Sequence, residues 1–328
     1  MTVKAVALVS SGLDSLLAAK IIRDQGVDVH ALHCAFSFGS ASKTDRIGAL
    51  RESMAGFGIP LRVQNITEPI VNILRHPAHG FGSAVNPCID CHLFMLRQAR
   101  EWMSSIGARF VVTGDVVGQR PMSQNRPTLF HIENLADLKR LVLRPLSAKR
   151  LPVTIPEEEK WVDRETLYAI GGRGRKDQEA LASRLGIEHY FQPAGGCILT
   201  DPLFAKRVKT FIRFRGQECL TAEAMYLFRL GRHFWMGNGL WIVAGRNESD
   251  NGALAAFRNG RWTLAPEDEK GPVVIADGVG NEADLRLAAG ITARYSRHGV
   301  AIVARFGNAE KRMETEPVTD GFLVEHRL

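Results

Sequence analysis

The sequence is poor in cysteine, and the five it has (Cys34, Cys88, Cys91, Cys197 and Cys219) cannot all pair with one another. An odd set, with no export signal ahead of it, argues against a disulfide framework and leaves closely spaced thiols for metal or redox chemistry. No apolar run reaches the roughly 18 residues of a membrane span. Residues 1–20 lack the charged start, apolar middle and cleavage site of a signal peptide; a cytoplasmic protein with no membrane segment is expected. There is no Gly-x-x-x-x-Gly-Lys-[Ser/Thr] run, which excludes the ATPase loop that sets a lysine on the terminal phosphates. A Gly-rich methyl-donor motif, an internal repeat and a low-complexity tract are also missing.

What is present is an ordinary globular balance, 45% hydrophobic and 23% charged, over 328 residues. That length suits two domains. Forty-two Lys and Arg against thirty-five Asp and Glu leave a net charge of +7, a modest surplus that favours a polyanionic partner such as nucleic acid.

Strand-like and helix-like segments alternate through the first part. Strands are expected at Val3–Val9, Val27–Cys34, Leu61–Ile66, Phe110–Thr113 and Leu141–Leu146. Between and after them come helical patterns over Leu13–Gln25, Lys43–Phe57, Ile70–Arg75 and Cys88–Ile106, and then over Glu165–Ile170, Asp177–Leu185 and Asp201–Phe214. Such alternation predicts a parallel sheet with helices on both faces, whose ligands bind beyond the carboxyl ends of the strands. The character then changes. Arg232–Met236 and Leu240–Ala244 read as strands around Gly237-Asn238-Gly239, an Asn-Gly turn. Further strands at Val273–Ala276 and Val300–Ala304, and a helix at Glu282–Ala293, follow. The boundary is placed near Glu218–Glu223: an α/β domain over 1–220 and a small α+β domain over 221–328.

Ser10-Ser11-Gly12-Leu13-Asp14-Ser15 follows the first strand and opens a helix. A loop in that position offers unpaired amides and the positive end of the helix dipole to an anion. Gly12 allows close approach of a phosphate, the Ser10, Ser11 and Ser15 hydroxyls are donors, and Asp14 is suited to orient a magnesium ion that shares substrate phosphates. An ordinary turn capped by serine and aspartate is the alternative.

Asn86-Pro87-Cys88-Ile89-Asp90-Cys91-His92 sits where a loop becomes a helix. Cysteines three apart on a helix share a face, so both thiols can reach one metal or each other. Cys88, near the helix start, has the dipole in favour of its thiolate. A haem attachment pattern, a structural zinc pair and a dithiol redox pair are alternatives. Cys197, after Ala194-Gly195-Gly196, is a third thiol on a flexible approach that can carry it to the same cleft.

The Ser10–Ser15 segment resembles the Ser-Gly-Gly-x-Asp-Ser pyrophosphatase loop (PP-loop) of enzymes that split ATP between its α- and β-phosphates, with Ser11 where that family has glycine. Together with Asn-Pro-Cys-x-x-Cys and a later lone Gly-Cys, the order of motifs resembles the tRNA 2-thiouridylases over roughly the first two thirds of the chain. The resemblance implies an adenine nucleotide α-hydrolase-like fold for the first domain, with ATP and Mg2+ as cofactors and tRNA as substrate. Cys88 and Cys197 match the catalytic pair and Cys91 the third thiol. Two mechanisms stay open. Either Cys197 carries a persulfide and Cys88 releases its sulfur through a disulfide, or Cys88, Cys91 and Cys197 hold a [4Fe-4S] cluster whose fourth iron binds hydrosulfide. No rhodanese-like tail or THUMP extension is visible, so free sulfide or a separate donor protein is the expected source of the sulfur.

Cys34 ends the second strand, where related enzymes place groups near adenine; it is assigned to that wall rather than to catalysis. Thr113-Gly114-Asp115 follows the fourth strand, where the 2-thiouridylases show Thr-Gly-His. Gly114 and Asp115 thus fall beside the phosphate loop, Asp115 either binding magnesium or capping the next turn. Gly118–Gln124 continues that loop with groups suited to nucleotide or RNA contact. The cations of Gly172-Arg173-Gly174-Arg175-Lys176 and of Lys206, Arg207, Lys209, Arg213 and Arg215 are candidates for phosphate contacts or solvated faces. Phe228–Phe234 and Val243–Asn247 resemble an NFACT-type RNA-associated domain; a packing domain or an oligomer contact is the alternative. Two rivals remain to the thiolase reading: an amidating or ligating enzyme acting on a small carboxylate, and a non-catalytic RNA-binding iron–sulfur protein.

Overall fold

The computed structural model describes residues 2–38, 46–190, 196–267, 270–296 and 301–328. The chain divides into two compact units, residues 1–197 and 198–328. No helix among the described residues is long and apolar enough to cross a membrane.

The first unit runs β1 (Lys4–Leu8), α1 (Leu13–Asp24), β2 (Asp28–Ala35), α2 (Arg46–Gly56), β3 (Leu61–Asn65), α3 (Thr67–Arg75), α4 (Cys88–Ser105), β4 (Phe110–Thr113), α5 (Arg126–Leu135), β5 (Val142–Leu143), α6 (Ile155–Glu158) and α7 (Lys176–Arg184). Its five strands are parallel, in the order β3-β2-β1-β4-β5. Ala5, Ala7, Ala31 and Val112 face Leu13, Leu16 and Leu17 of α1, while Val6, Leu32 and Val111 face Leu93, Leu96 and Ala99 of α4. A strand buried on both faces has no polar side to alternate with, which is why these strands read as unbroken apolar runs. The order runs outward from β1 to β3 and then resumes at β4 on the other side. The carboxyl ends of β1 and β4 therefore flank the point of reversal, where an open parallel sheet leaves a crevice for ligands.

Two local readings differ from the sequence. Residues 165–170 are not an α-helix. After a single 3-10 turn, Arg164–Thr166, the chain is extended, with Tyr168 N donating to Pro145 O (3.0 Å) and Ile170 N to Leu146 O (2.8 Å). Leu167 and Ile170 are three apart because both enter the core, and that spacing imitates a helix. Conversely α5 was not anticipated, although Asn125 caps it by accepting from Thr128 N (3.0 Å) and Pro127 lies in its first turn. Of the expected helix Lys43–Phe57, residues 43–45 lie outside the described residues, as do Ala194 and Gly195.

The second unit contains α8 (Pro202–Arg215), α9 (Ala222–Leu227), β6 (Arg232–Trp235), β7 (Trp241–Ala244), α10 (Glu248–Ala255), β8 (Trp262–Pro266), β9 (Val274–Asp277), α11 (Glu282–Arg294), β10 (Ala301–Phe306), β11 (Ala309–Glu314) and α12 (Asp320–His326). Its sheet is antiparallel, ordered β11-β10-β8-β9-β7-β6. Leu285, Ala288 and Ala289 of α11 pack with Ile242, Leu264, Ala276 and Ile302 of the sheet. The β6–β7 turn contains Gly239 at φ +87°, a conformation that favours glycine. Phe211 of α8 lies edge-on to Trp241, 5.6 Å between centroids, and 5.3 Å from Phe228. This aromatic packing places α8 in the second unit, so the division falls ahead of it rather than at 220/221, where the sequence put the boundary.

Candidate active site

At the carboxyl end of β1 the loop closes on itself. Ser10 N donates to Ser15 Oγ (2.9 Å), and the Ser15 hydroxyl is within 2.9 Å of both the Ser10 and the Gly12 carbonyl oxygens. Gly12 N donates to Ser10 Oγ (3.2 Å). Ser10 and Ser15 therefore shape the loop here, and Ser11 is left without a hydrogen bond to the described residues. It lines a cavity of about 250 Å³ with Leu16, Ala49, Leu50, Ser53 and residues 188–190. Among the described residues only Asp137, Arg140 and Lys160 combine a side chain with positive φ, so the serine at position 11 is unstrained and does not need to be glycine. Gly12 precedes α1 in an extended conformation and supplies no capping side chain. The first amides of the helix are thus available to an anion.

Gly114 is held here by contact. A Cβ on it would lie 2.5 Å from Ser15 N and 2.6–2.7 Å from the Asp14 carbonyl group, so the turn after β4 rests directly on the start of α1. Asp14 itself accepts from Gln119 Nε2 through Oδ2 (3.0 Å). Its Oδ1 is buried without a hydrogen bond and faces Arg175 Nη2 at 3.6 Å. Arg175 arrives from the glycine-rich run. Gly172 N donates to Val117 O (2.8 Å), Gly171 bridges Val117, and α7 begins one residue after Arg175, again without a side-chain cap. The starts of two helices, α1 and α7, meet at Asp14.

The cysteine turn opens α4. Cys88 is its first residue, and the buried Asn86 points Nδ2 at Cys88 Sγ (3.1 Å) while accepting from Ala84 N (3.2 Å). Gly82 makes room for this amide, since a Cβ there would stand 2.5 Å from Asn86 Nδ2. One turn on, Cys91 is pushed well above the ordinary thiol range by burial, then by the neighbouring Cys197 and Cys88 thiols and by Asp90. Cys88 and Cys197 are thus both within electrostatic reach of Cys91. Among the described residues no three His, Cys, Asp or Glu side chains are close enough to hold a single metal ion. Asp90 accepts from both His79 N (3.0 Å) and His79 Nδ1 (2.6 Å), fixing the loop that precedes the turn.

Asp115 is not presented to the phosphate loop. It is buried, and its oxygens accept from Thr113 Oγ1 (2.8 Å) and Gln124 Nε2 (3.0 Å). They also face His92 Nε2 (3.4 Å) and Arg144 Nε (3.7 Å). Burial pushes its carboxyl up, but the His92 and Arg144 charges with the Thr113 and Gln124 hydrogen bonds outweigh that and hold it below the ordinary carboxylate range. Arg144 is shared with buried Glu133 on α5 (2.8 Å). The expectation that Asp115 binds magnesium or caps a turn gives way to a third role, because its lone pairs are already engaged inside the protein. Nothing adjacent in sequence announces His92, Arg144 or Glu133 as its partners; only the packing of α4, α5 and β5 gathers them.

Cys34 packs beside Val6, Leu32 and Leu93, and burial pushes its thiol up to about 11. Its neighbour His33, missed in the sequence, donates Nδ1–H to Val9 O (2.9 Å) just ahead of the loop. Burial holds that imidazole below its ordinary value against this hydrogen bond.

Residues 1–150 match the family model described as thiamine biosynthesis protein (ThiI), and residues 231–323 match that of the NFACT protein RNA binding domain. A probable tRNA sulfurtransferase of Thermococcus kodakarensis is 29% identical over 147 residues, 44% of this chain and 36% of the relative. The tRNA-specific 2-thiouridylase MnmA of Desulfosudis oleivorans is 30% identical over 111 residues, 33% of this chain and 30% of its own. The chain therefore spans about a third of the length of the curated relatives it matches. A solved 4-thiouridine synthetase–RNA complex with bound ATP superposes with a TM-score of 0.36 at 21% identity, over 56% of this chain and 51% of that one. The first 150 residues are thus similar to the ThiI family, and residues 231–323 to the NFACT RNA-binding domain.

Proposed function

We propose that the protein is an ATP-dependent tRNA sulfurtransferase that converts a uridine to a thiouridine in the cytoplasm. The observation that carries this reading is the joining of two groups. The uncapped start of α1, with Asp14, is tied through Gly114 and Asp115 to the helix that bears Cys88 and Cys91. ATP binds with its phosphates on the amides of Ser11–Ser15. A carbonyl oxygen of the uracil attacks the α-phosphorus, the bond to the β-phosphate breaks and pyrophosphate leaves. A sulfur nucleophile then adds to the activated carbon, the carbon–oxygen bond breaks and AMP departs.

In this scheme Asp14 would hold the magnesium that accompanies the phosphates, and Arg175, which faces Asp14, would supply a cation to the nucleotide. Cys88 and Cys197 are the sulfur-handling pair, with Asn86 fixing the Cys88 sulfur. The three-thiol donor set also fits a [4Fe-4S] cluster, which takes its thiolates on separate irons rather than on one ion. Cys88, Cys91 and Cys197 would hold it, and it would supply an open iron for hydrosulfide. The protein's own part is to position the base, neutralise phosphate charge and keep reactive sulfur from water.

The test is anaerobic incubation with ATP, magnesium, sulfide and unmodified tRNA, followed by mass spectrometry of the nucleosides. A thiolated uridine is expected. AMP release without it would replace this reading by a ligase on a small carboxylate, and neither product would leave an RNA-binding protein.

A further inference from the structure

The basic run around α8 looks uniform in sequence, but the fold sorts it into two sets. Arg207 turns inward and donates to Phe228 O (2.5 Å) and Gly231 O (3.2 Å), while Arg215 donates to Asp277 Oδ1 (2.9 Å) and Gly239 O (3.2 Å). Lys206, Lys209 and Arg213, spaced three and four apart, share the opposite face and are all exposed. Neither lysine has an acidic partner among the described residues. Arg213 lies over the ring of Phe214 (5.8 Å), which is itself exposed.

Two further cations lie near Arg207 rather than on this outer face. Arg246 donates to Arg229 O (3.3 Å), in the same turn that Arg207 holds from beneath. Arg327 is joined to β6 by a bridge to Phe234. Burial lowers Arg207 to about 10; the charges of Arg246 and Arg327 add to the effect, and those of Asp201 and Asp250 oppose it. Arg246 is paired with Asp250; among the described residues Lys206, Lys209 and Arg213 have no such carboxylate. Holding long cations side by side without acids is unfavourable in the free protein, and binding a polyanion relieves it while releasing that polyanion's counterions.

We propose that Lys206, Lys209 and Arg213 on α8 form the surface on which the second unit grips the phosphate backbone of RNA. The proposal rests on the tRNA reading above but goes beyond the family match, which begins at residue 231 and leaves α8 outside. Flexible lysines on one helix face suit sequence-independent backbone contacts rather than base reading. The surface therefore holds the RNA without choosing the base that is modified.

The test measures binding of the full chain to unmodified tRNA across a salt series. It compares the wild type with Lys206→Ala/Lys209→Ala/Arg213→Ala and with a control of equal charge loss, Arg286→Ala/Arg305→Ala/Lys311→Ala. The control residues are exposed on α11, β10 and β11. All six positions are solvent-facing, and thermal melting checks that the variants fold. The α8 variant is expected to bind at least tenfold more weakly near 0.1 M salt. Its slope of log affinity against log salt should be shallower by about 2–3, since each lost phosphate contact removes roughly 0.9. The control should keep the wild-type slope. Wild-type affinity and slope in the α8 variant would overturn the surface alone, as would an equal loss in the control, which would make net charge sufficient. Failure of the wild type to bind tRNA would remove the substrate reading and the surface with it.

Discussion

Asp115 Oδ1 stands 3.4 Å from His92 Nε2, and this pair, a buried carboxylate and a half-buried imidazole, joins the helix that carries the cysteines to the turn that rests on the Ser10–Ser15 loop. Asp115 belongs to β4's outgoing turn and His92 follows Cys91. A shift in one therefore reaches the other through a contact that neither motif contains. Replacing Asp115 by Asn leaves Arg144 and His92 facing an uncharged amide inside the protein, and should destabilise the fold on the order of 3 kcal/mol, the scale for breaking a buried ion pair. Urea denaturation gives the value; a loss below about 0.5 kcal/mol would mean that the network is dispensable.

The same carboxyl makes stability depend on pH in a definite direction. Its folded value lies below the ordinary range, so its contribution is present above the unfolded value of about 3.9 and is lost as pH falls through the folded one. The stability gap between wild type and Asp115→Asn should shrink as pH falls below about 4. A gap that widens on acidification would reverse the assigned sign.

Gly114 should tolerate no side chain. The atoms that a Cβ would meet are backbone atoms of Asp14 and Ser15, which cannot rotate away as a flexible side chain can. Gly114→Ala should cost roughly 1–3 kcal/mol and impair pyrophosphate release by displacing the start of α1. Measured melting together with ATP-dependent pyrophosphate release separates the two effects, and wild-type values of both would refute the contact.

Asp14 and Arg175 should separate in their kinetics. Asp14→Asn removes the charge proposed to hold magnesium and should slow pyrophosphate release by about 10²-fold, as loss of a transition-state contact does. Arg175→Ala removes a cation proposed to move onto the phosphates and should raise KM for ATP roughly tenfold, about 1.4 kcal/mol, the scale of a charged hydrogen bond. An unchanged KM would confine Arg175 to its contact with Asp14.

Cys88→Ser should abolish thionucleoside formation while pyrophosphate release continues, because the groups proposed for adenylation lie on α1. With iodoacetamide at pH 8, Cys34 should be the slower to react: its thiol is pushed up to about 11 and half-buried, whereas Cys219 is exposed. Peptide mass spectrometry reads the order, and faster labelling of Cys34 would place it outside the core.

The sequence by itself determined the alternation of the first unit, the loop Ser10–Ser15 that opens α1, and the placing of Cys88 and Cys91 on one helical face. These are local matters, fixed by which side of a strand or helix is apolar and by where a helix begins. The tertiary structure alone decided that Arg175 meets Asp14, that Asp115 is spent on His92 and Arg144, that residues 167–170 run extended against residues 145–146, and that α8 divides its cations between inside and outside. Each depends on partners distant in sequence. A buried carboxylate or guanidinium takes whichever partner packing brings within reach, because leaving it unpaired away from water costs more than any local preference can supply.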